Sequence, residues 1–413
     1  EKPALGLFEV DGSTANNVIW RGNLSHNFTP FLDANPACPP EERYKAVGGT
    51  KIEWGGEGLW LLVSADGLHW RKRDDAPIAF PGNFDSQNLI FWDAAANCYR
   101  AYWRGGHENQ QRPGRDVLCA TSPDMANWSE AEGLVYNPSR SGSPELDQTD
   151  DPSGDHHQYY SSGVLPYPRA PHLILGFPQR YCDRGWLATT GLLPDPEHRR
   201  READKGVGGG RPTRRGTVVT DVLFMASRDG VAFHVWPEAM VRPGIQRPGS
   251  WYYGGAWFSW GMLQTPSAFP GAPDELSVYI QERFAPEAPG RLRRHTFRID
   301  GFGSLNAPLT GGRAATRPLT FDGDRLSINF STSGGGRLRI GFQAADGSDI
   351  PGFALGDCDL QYGDELDRGV SWNGKSDVGS LRGRPLRMVV ELKDADLYSF
   401  VFMKQRRRNN DID

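Results

Sequence analysis

Apolar residues stand along this chain in short runs, cut by clusters of Gly, Pro, Asn, Asp and Ser. Three of the runs look alike: "LWLLVSADGLHW" (59–70), "DVLCATSPDMANW" (116–128) and "DVLFMASRDGVAF" (221–233). Each is an apolar strand, then Ser-x-Asp, then a tight turn, then an aromatic that starts a second strand. The Ser and Asp side chains can bond turn amides, and Gly or its substitute takes the left-handed φ. Recurrence of such a unit within a larger period predicts a β-propeller.

Two further strand-like runs precede each hairpin: "NFTPFLD" (27–33) and "YKAVGG" (44–49), then "QNLIFWD" (87–93) and "YRAYWRG" (99–105), then "QYYSSGVLPY" (158–167) and "HLILGFPQRY" (172–181). Four antiparallel strands make one blade. A fourth unit reads "SWYYGGAWFSWGML" (250–263), "ELSVYIQERF" (275–284) and "RLRRHTFRID" (291–300), with an atypical last hairpin. The expectation is an all-β chain with a five-bladed type of propeller over residues 1–303, about four blades being complete. The opening "EKPALGLFEV" reads as the outer strand that follows one more such hairpin, so most of a first blade is expected upstream. The alternative is an N-terminal strand that closes the ring. After Gly303 apolar and polar residues alternate with period two, as in "LTFDGDRLSINFST", which predicts an antiparallel β-sandwich over 304–405 and a polar tail over 406–413.

Composition narrows the function. The chain has 413 residues with Gly 50, Pro 31 and aromatics at 11%, which favours short strands over long helices. A net charge of -5 offers no electrostatic reason to expect nucleic acid or an anionic membrane as partner. No apolar run approaches the roughly 18 residues of a membrane span, and no signal-peptide pattern opens the sequence. The cysteines (Cys38, Cys98, Cys119, Cys182, Cys358) are scattered without a CxxC pair, which argues against a disulfide framework or a zinc knuckle. Three of them (Cys98, Cys119, Cys182) sit in strand-like runs and read as buried thiols. No cofactor or metal is expected. Asn23 and Asn27 open glycosylation triplets, a weak pattern.

The local patterns "LGLFEVDGSTANNVIW", "ERYKAVGG", "SADGLHW", "FDSQN" and "GSW", with "IPGFALGDCD" and "LKDADLYSFVF" in the sandwich, carry a resemblance. A five-bladed propeller followed by a β-sandwich resembles glycoside hydrolase family 32, the invertases and fructanases, whose propeller the family 43 arabinanases and xylosidases share. The patterns themselves resemble a bacterial group labelled family 32-like, of unknown substrate, whose members begin with a further blade ending in "DGIHWEKP-LGL"-type sequence. The match covers nearly the whole chain, but the invertase motifs WMNDPNG and Trp-Glu-Cys are missing. The resemblance implies an exported enzyme, secreted or periplasmic, that degrades polysaccharide by hydrolysing a furanoside (fructosyl or arabinosyl) or a related glycan. It also implies an aspartate on the first blade, so the full catalytic pair need not lie in this chain. A non-catalytic carbohydrate-binding protein is the alternative. A sialidase-like propeller is a third reading, with Arg104, Arg180 and Arg247 as an arginine triad.

Glycoside hydrolysis uses two carboxyl groups, about 5 Å apart for retention and about 6.5–9.5 Å for inversion. The catalytic candidates are Asp33, Asp85 and Glu282. Asp33, in Asp-x-Asn-Pro, resembles the Arg-Asp-Pro aspartate of family 32 with Leu32 in place of the Arg; otherwise it caps the turn before Pro36. Asp85, in "NFDSQN", stands where family 32 has its general acid, though Asp is shorter than Glu. Glu282 either reaches the pocket or pairs with Arg283 or Arg180, and Asp221 reads as structural. The substrate-binding candidates are Asn27, Arg104, His157, Arg180, Trp251, Tyr253 and Trp257. Strand alternation sends at most one of His156 and His157 into a pocket, beside Asp155. Gly254 and Gly255 permit close approach near flat rings on which sugars stack, while packing between blades is the plainer reading, favoured for Trp260. Two insertions break the pattern. Residues 137–156 are acidic (Glu145, Asp147, Asp150, Asp151). Residues 183–216 are basic (Arg199, Arg200, Arg201, Lys205, Arg211, Arg214, Arg215). They read either as a lid recruiting an anionic sugar or as solvated segments that pair with each other. "GVGGG" is no phosphate loop, since no strand leads into it and no Gly-Lys-Ser/Thr follows.

Overall fold

The computed structural model describes residues 3–52, 55–105, 115–137, 158–182, 186–204, 216, 218–246, 250–253, 255–282 and 290–404. The chain divides into two compact units, Glu1–Met262 with Val278–His295, and Leu263–Ser277 with Thr296–Asp413.

In the first unit β1 (Thr29–Leu32), β2 (Tyr44–Thr50), β3 (Gly58–Ser64) and β4 (Arg71–Lys72) form one antiparallel meander. A second follows with β5 (Leu89–Asp93), β6 (Cys98–Arg104), β7 (Val117–Ser122) and β8 (Glu132–Gly133). The inner strands are apolar throughout because both of their faces are covered. Parity shows it. Leu59 and Leu61 of β3 enter one core with Ile90, Trp92, Tyr99, Ala101 and Trp103, while Trp60 and Leu62 enter another with Leu24 and Ala46. On the second sheet Leu89, Phe91, Tyr102 and Cys119 turn the opposite way, into a core shared with Ile174, Leu223, Met225 and Phe233. Sheets stacked face to face through alternate residues are the packing of a propeller.

The third sheet departs from expectation. Each run foreseen as one strand is two. Residues 158–167 give β10 (Gln158–Tyr159) and β11 (Leu165–Tyr167), and 172–181 give β12 (Ala170–Gly176) and β13 (Gln179–Cys182). The breaks fall at Gly163, with φ +53°, and at Pro178, which lacks an N–H for the ladder. The unbroken β14 (Val219–Ser227) pairs with β13 along its first half and with β12 along its second. β15 (Ala232–Val241) completes the hairpin and pairs in parallel with β9 (Val135–Tyr136). The last sheet of this series is β16 (Trp257–Thr265), β17 (Glu275–Glu282) and β18 (Arg291–Phe297). Residues 250–253 and 255–256 are not strand as foreseen, and Trp251 has φ +57°. Of the strand foreseen near Leu7–Val10 there is a lone bridge between Val10 and Ser13.

The three hairpins share one hydrogen-bond scheme. Ser64 Oγ accepts from the Gly67 amide at 2.9 Å, and Asp66 Oδ1 accepts from the Leu68 and His69 amides at 2.8 Å each. Ser122 and Asp124 repeat this with Met125, Ala126 and Asn127 at 2.9, 2.8 and 2.8 Å, and Ser227 and Asp229 with Gly230, Val231 and Ala232 at 2.9, 2.9 and 2.8 Å. The residue after the Asp is left-handed each time: Gly67 at +78°, Met125 at +62°, Gly230 at +77°.

Helix α1 (Pro196–Asp204) lies in the basic insertion. Arg199, foreseen among its solvated charges, is buried at 2% exposure. It donates to the main-chain oxygens of Pro194, Gly216, Ser250 and Trp251, bolting the helix to the 250–251 backbone. No described helix is long and apolar enough to cross a membrane.

The second unit is built on two long paired strands, β21 (Arg325–Ala344) and β23 (Leu386–Met403), flanked by β19 (Leu305–Ala307), β20 (Gly312–Ala315) and β22 (Asp364–Gly369). Their register shifts between Thr332 and Arg337, across Gly334–Gly336. Leu326, Ile328 and Phe330 before that break and Leu338, Ile340 and Phe342 after it enter one core with Trp372 and Val390, so the bent strands carry both layers of a sandwich.

Candidate functional site

Three carboxylates were candidates for catalysis, and the structure separates them by exposure and by the length of their ion pairs. Asp33 ends β1 with its side chain at 0% exposure, 2.7 Å from the Lys45 ammonium, itself at 1%. It accepts the Tyr99 hydroxyl at 2.8 Å and the Asn35 amide at 2.9 Å. Burial, then the Asp33 carboxylate beside it, holds the Tyr99 hydroxyl protonated far above its usual range. Asp33 therefore fastens the 33–45 loop and the second sheet. Its Oδ1 caps the turn at Asn35, and its carboxylate is closed off by short charge-assisted bonds to Lys45 and Tyr99. Glu282, 14% exposed, sits 2.6 Å from Arg293, while Arg283, one of the two partners foreseen, lies outside the described residues. Arg180 is spent on a bidentate pair with Asp221, its cross-strand neighbour, at 2.9 and 2.6 Å. It leaves the proposed arginine triad, and Asp221 is structural as read.

Asp85 differs. Its side chain is 39% exposed, and its side-chain contacts are long: 3.4 Å from Oδ1 to His26 Nε2 and 3.3 Å from Oδ2 to Arg104 Nη1. The main chain beneath it is held more firmly. Arg104 donates to the Asp85 carbonyl at 2.8 Å, and the Asp85 amide donates to Asn83 Oδ1 at 3.2 Å. The preceding Phe84 is buried with φ +55°, a strained conformation for a bulky residue. Its carbonyl accepts from Asn27 Nδ2 at 3.2 Å and Asn88 Nδ2 at 3.1 Å. Asn27, foreseen as a sugar contact, positions this turn.

Next to Asp85 lies an arginine and tyrosine cluster. The Arg104 guanidinium carbon is 5.3 Å from the Tyr160 ring centre, and that of Arg115 is 4.7 Å from Tyr160 and 4.4 Å from Tyr181. The Tyr253 hydroxyl donates to the Tyr160 hydroxyl at 3.2 Å, and Trp257 meets Tyr160 edge-on at 4.8 Å. Arg115 Nη1 donates to Gln158 Oε1 at 2.6 Å. Burial, and next the Arg115 charge, push the Arg104 guanidinium below its usual range.

The structure thus joins Asp85, Arg104, Tyr253 and Trp257 in one chain of contacts, with Asn27 supporting it. Trp251 lies apart, its indole N–H donating to the Gly244 carbonyl at 3.1 Å. His157, Asp155, His156 and Arg247 lie outside the described residues, as does the acidic insertion beyond Asn137. Sequence reasoning missed His26, Arg115, Tyr160 and Tyr181. His26 adjoins Asn27, and Tyr160 and Tyr181 lie in runs read as strand, but no spacing singled them out. Trp260 is a packing residue as read, bonded to the Val164 carbonyl at 2.8 Å and touching two cores.

No family model and no curated protein matches the chain. Among solved structures it is similar to an N-acetylgalactosamine deacetylase from F. plautii in complex with blood group B trisaccharide, at 17% identity over 62% of this chain and 63% of that one, TM-score 0.35. It is similar to a glycosyl hydrolase from Bacteroides ovatus at 11% identity over 65% and 63%, TM-score 0.36. A third is the family 32 β-fructofuranosidase of Bombyx mori in complex with sucrose, at 10% identity over 89% and 81%, TM-score 0.31. The chain spans less than two thirds of the length of the first two structures. Glycoside hydrolases of families 43 and 62 also stand among the similar structures, so they include the propeller enzymes that the sequence patterns resemble. The all-β fold itself rests on the sheets described above.

Proposed function

We propose that the protein is a glycoside hydrolase acting on a furanoside, of fructosyl or arabinosyl type, or on a related glycan, with Asp85 as one of its carboxylates. The observation that carries this is the contrast in closure: Asp33 and Glu282 are locked at 2.7 and 2.6 Å, while Asp85 is open to solvent with its backbone pinned. A fixed main chain beneath a loosely held side chain lets a carboxylate meet a glycosidic oxygen or an anomeric carbon without searching. Trp257, only partly buried at the edge of the Tyr160 cluster, supplies ring surface beside it for the C–H face of a sugar. Asp85 would work as one member of a pair, the second carboxyl standing across the sugar.

The test is sugar release from aryl arabinofuranosides, sucrose and fructans by the protein and by Asp85→Asn. Turnover reduced at least about 100-fold in the variant is expected. Equal turnover in the variant removes Asp85 from the mechanism. The same closure of Asp33 and Glu282 favours a second reading, a carbohydrate-binding protein without turnover. Saturable sugar binding with no product from any substrate would select it.

A further inference from the structure

The first unit has a consistent way of settling a sunken guanidinium. Arg100 meets Asp93 at 2.6 Å, Arg180 meets Asp221 through both of its ends, and Arg199 is surrounded by main-chain carbonyls. Arg104 and Arg115 are settled less fully, at Nη1: Arg104 by the Asp85 carbonyl at 2.8 Å and Arg115 by Gln158 Oε1 at 2.6 Å. Both press on the Tyr160 ring, and the Nε of each is buried with no acceptor among the described residues. Among those residues the anionic group that reaches this pair is Asp85, at 3.3 Å from Arg104. Arg104 keeps 11% of its side chain exposed, next to a carboxylate that is itself open, so the pair borders accessible space. Like charges held against one ring repel, and one long ion pair does not neutralise two guanidinium groups away from bulk water.

We propose that Arg104 and Arg115 form an anion subsite beside Asp85 that takes the acidic group, carboxylate or sulfate, of a sugar, so that the ligand is an acidic glycan. This rests on the reading of the Asp85 cluster as a sugar site. A planar guanidinium offers a fork of donors that matches either oxyanion. The Tyr160 ring holds both guanidinium groups by cation–π contact, and the Nε of each remains a donor without an acceptor among the described residues.

The experiment is titration calorimetry with the methyl glycoside of galacturonic acid, with galactose 6-sulfate and with the neutral methyl galactoside, on the whole chain and on Arg104→Gln, Arg115→Gln and Arg115→Lys. An acidic sugar is expected to bind at least about tenfold tighter than the neutral one, one charged contact of about 1.5–3 kcal/mol. Preference for the uronate or for the sulfate identifies the oxyanion. The advantage should vanish in either Gln variant and return only in part in Arg115→Lys, which keeps the charge and loses the fork. Equal binding of acidic and neutral sugars, no binding of any acidic sugar, or an undiminished preference in Arg115→Gln overturns the proposal. If a Gln variant does not fold, the comparison of sugars on the unaltered chain still decides. Inactivity on every glycoside sinks the hydrolase reading and leaves this one standing; turnover of neutral furanosides without acid preference does the reverse.

Discussion

At the residue scale, two aspartates near the ends of short sequence motifs have opposite employment. Asp33 shares a buried cluster with Lys45, Tyr99 and Asn35; Asp85 is partly exposed between long contacts to His26 and Arg104. Removing one partner from a buried pair strands the other charge, so Lys45→Met should cost about 3–5 kcal/mol. Asp85→Asn loosens an exposed pair and should cost under about 1 kcal/mol. Urea unfolding midpoints of the two variants measure the difference, and similar losses would contradict the division of roles. The sequence could not show it. Both residues sit in motifs that resemble those of family 32, and what tells them apart is a lysine and a tyrosine brought in by other strands. Phe84, the strained residue ahead of Asp85, carries no local signal either, since a Phe in left-handed backbone is imposed by its surroundings.

At the scale of the element, the Ser-x-Asp hairpins were legible in full because everything that makes them is local. Their acidities carry a pH consequence. The His69 amide and imidazole hold the Asp66 carboxyl well below the usual carboxylate range, and the Asn127 and Ala126 amides do so for Asp124. For Asp229 burial works the other way and the Val231 and Ala232 amides outweigh it. A depressed folded-state pKa gives stability that is complete above the unfolded value, about 3.9, and is lost as pH falls below it. Melting temperature should fall between about pH 5 and about pH 2, and fall less steeply in the Asp66→Asn, Asp124→Asn double variant. Parallel curves would refute the assignment. Met125 fills the turn position that is Gly in the other two hairpins, and its side chain is buried in the core between the first two sheets. Met125→Gly would relieve about 1–2 kcal/mol of backbone strain and forfeit about 2–5 kcal/mol of packing, so a net loss of up to about 4 kcal/mol is expected by denaturant unfolding. A gain would show that strain dominates. The third sheet was harder to read because Gly163 and Pro178 interrupt runs whose composition is uniformly strand-like.

For the molecule as a whole, the all-β character and the stacking of sheets were visible in continuous apolar runs, which only strands covered on both faces require. The site was legible in part. Asp85, Arg104, Tyr253 and Trp257 were named from motif and composition, whereas His26, Arg115 and Tyr160 converge on them through loops and strands that no period connects. In the second unit the alternation of β21 and β23 announced the sandwich, and the glycines at 334–336 mark where the long strands change register.

The outermost strands of the first two sheets also shape how the protein behaves among copies of itself. β4 is Arg71–Lys72, both residues exposed, and β8 is Glu132–Gly133. A margin two residues long and bearing charge is a poor template for another chain's backbone. Sequences as apolar as β3 and β6 would be hazards in such a place; here they are kept to the interior, and concentrated solutions are guarded against fibre growth at those margins by a few ionic groups.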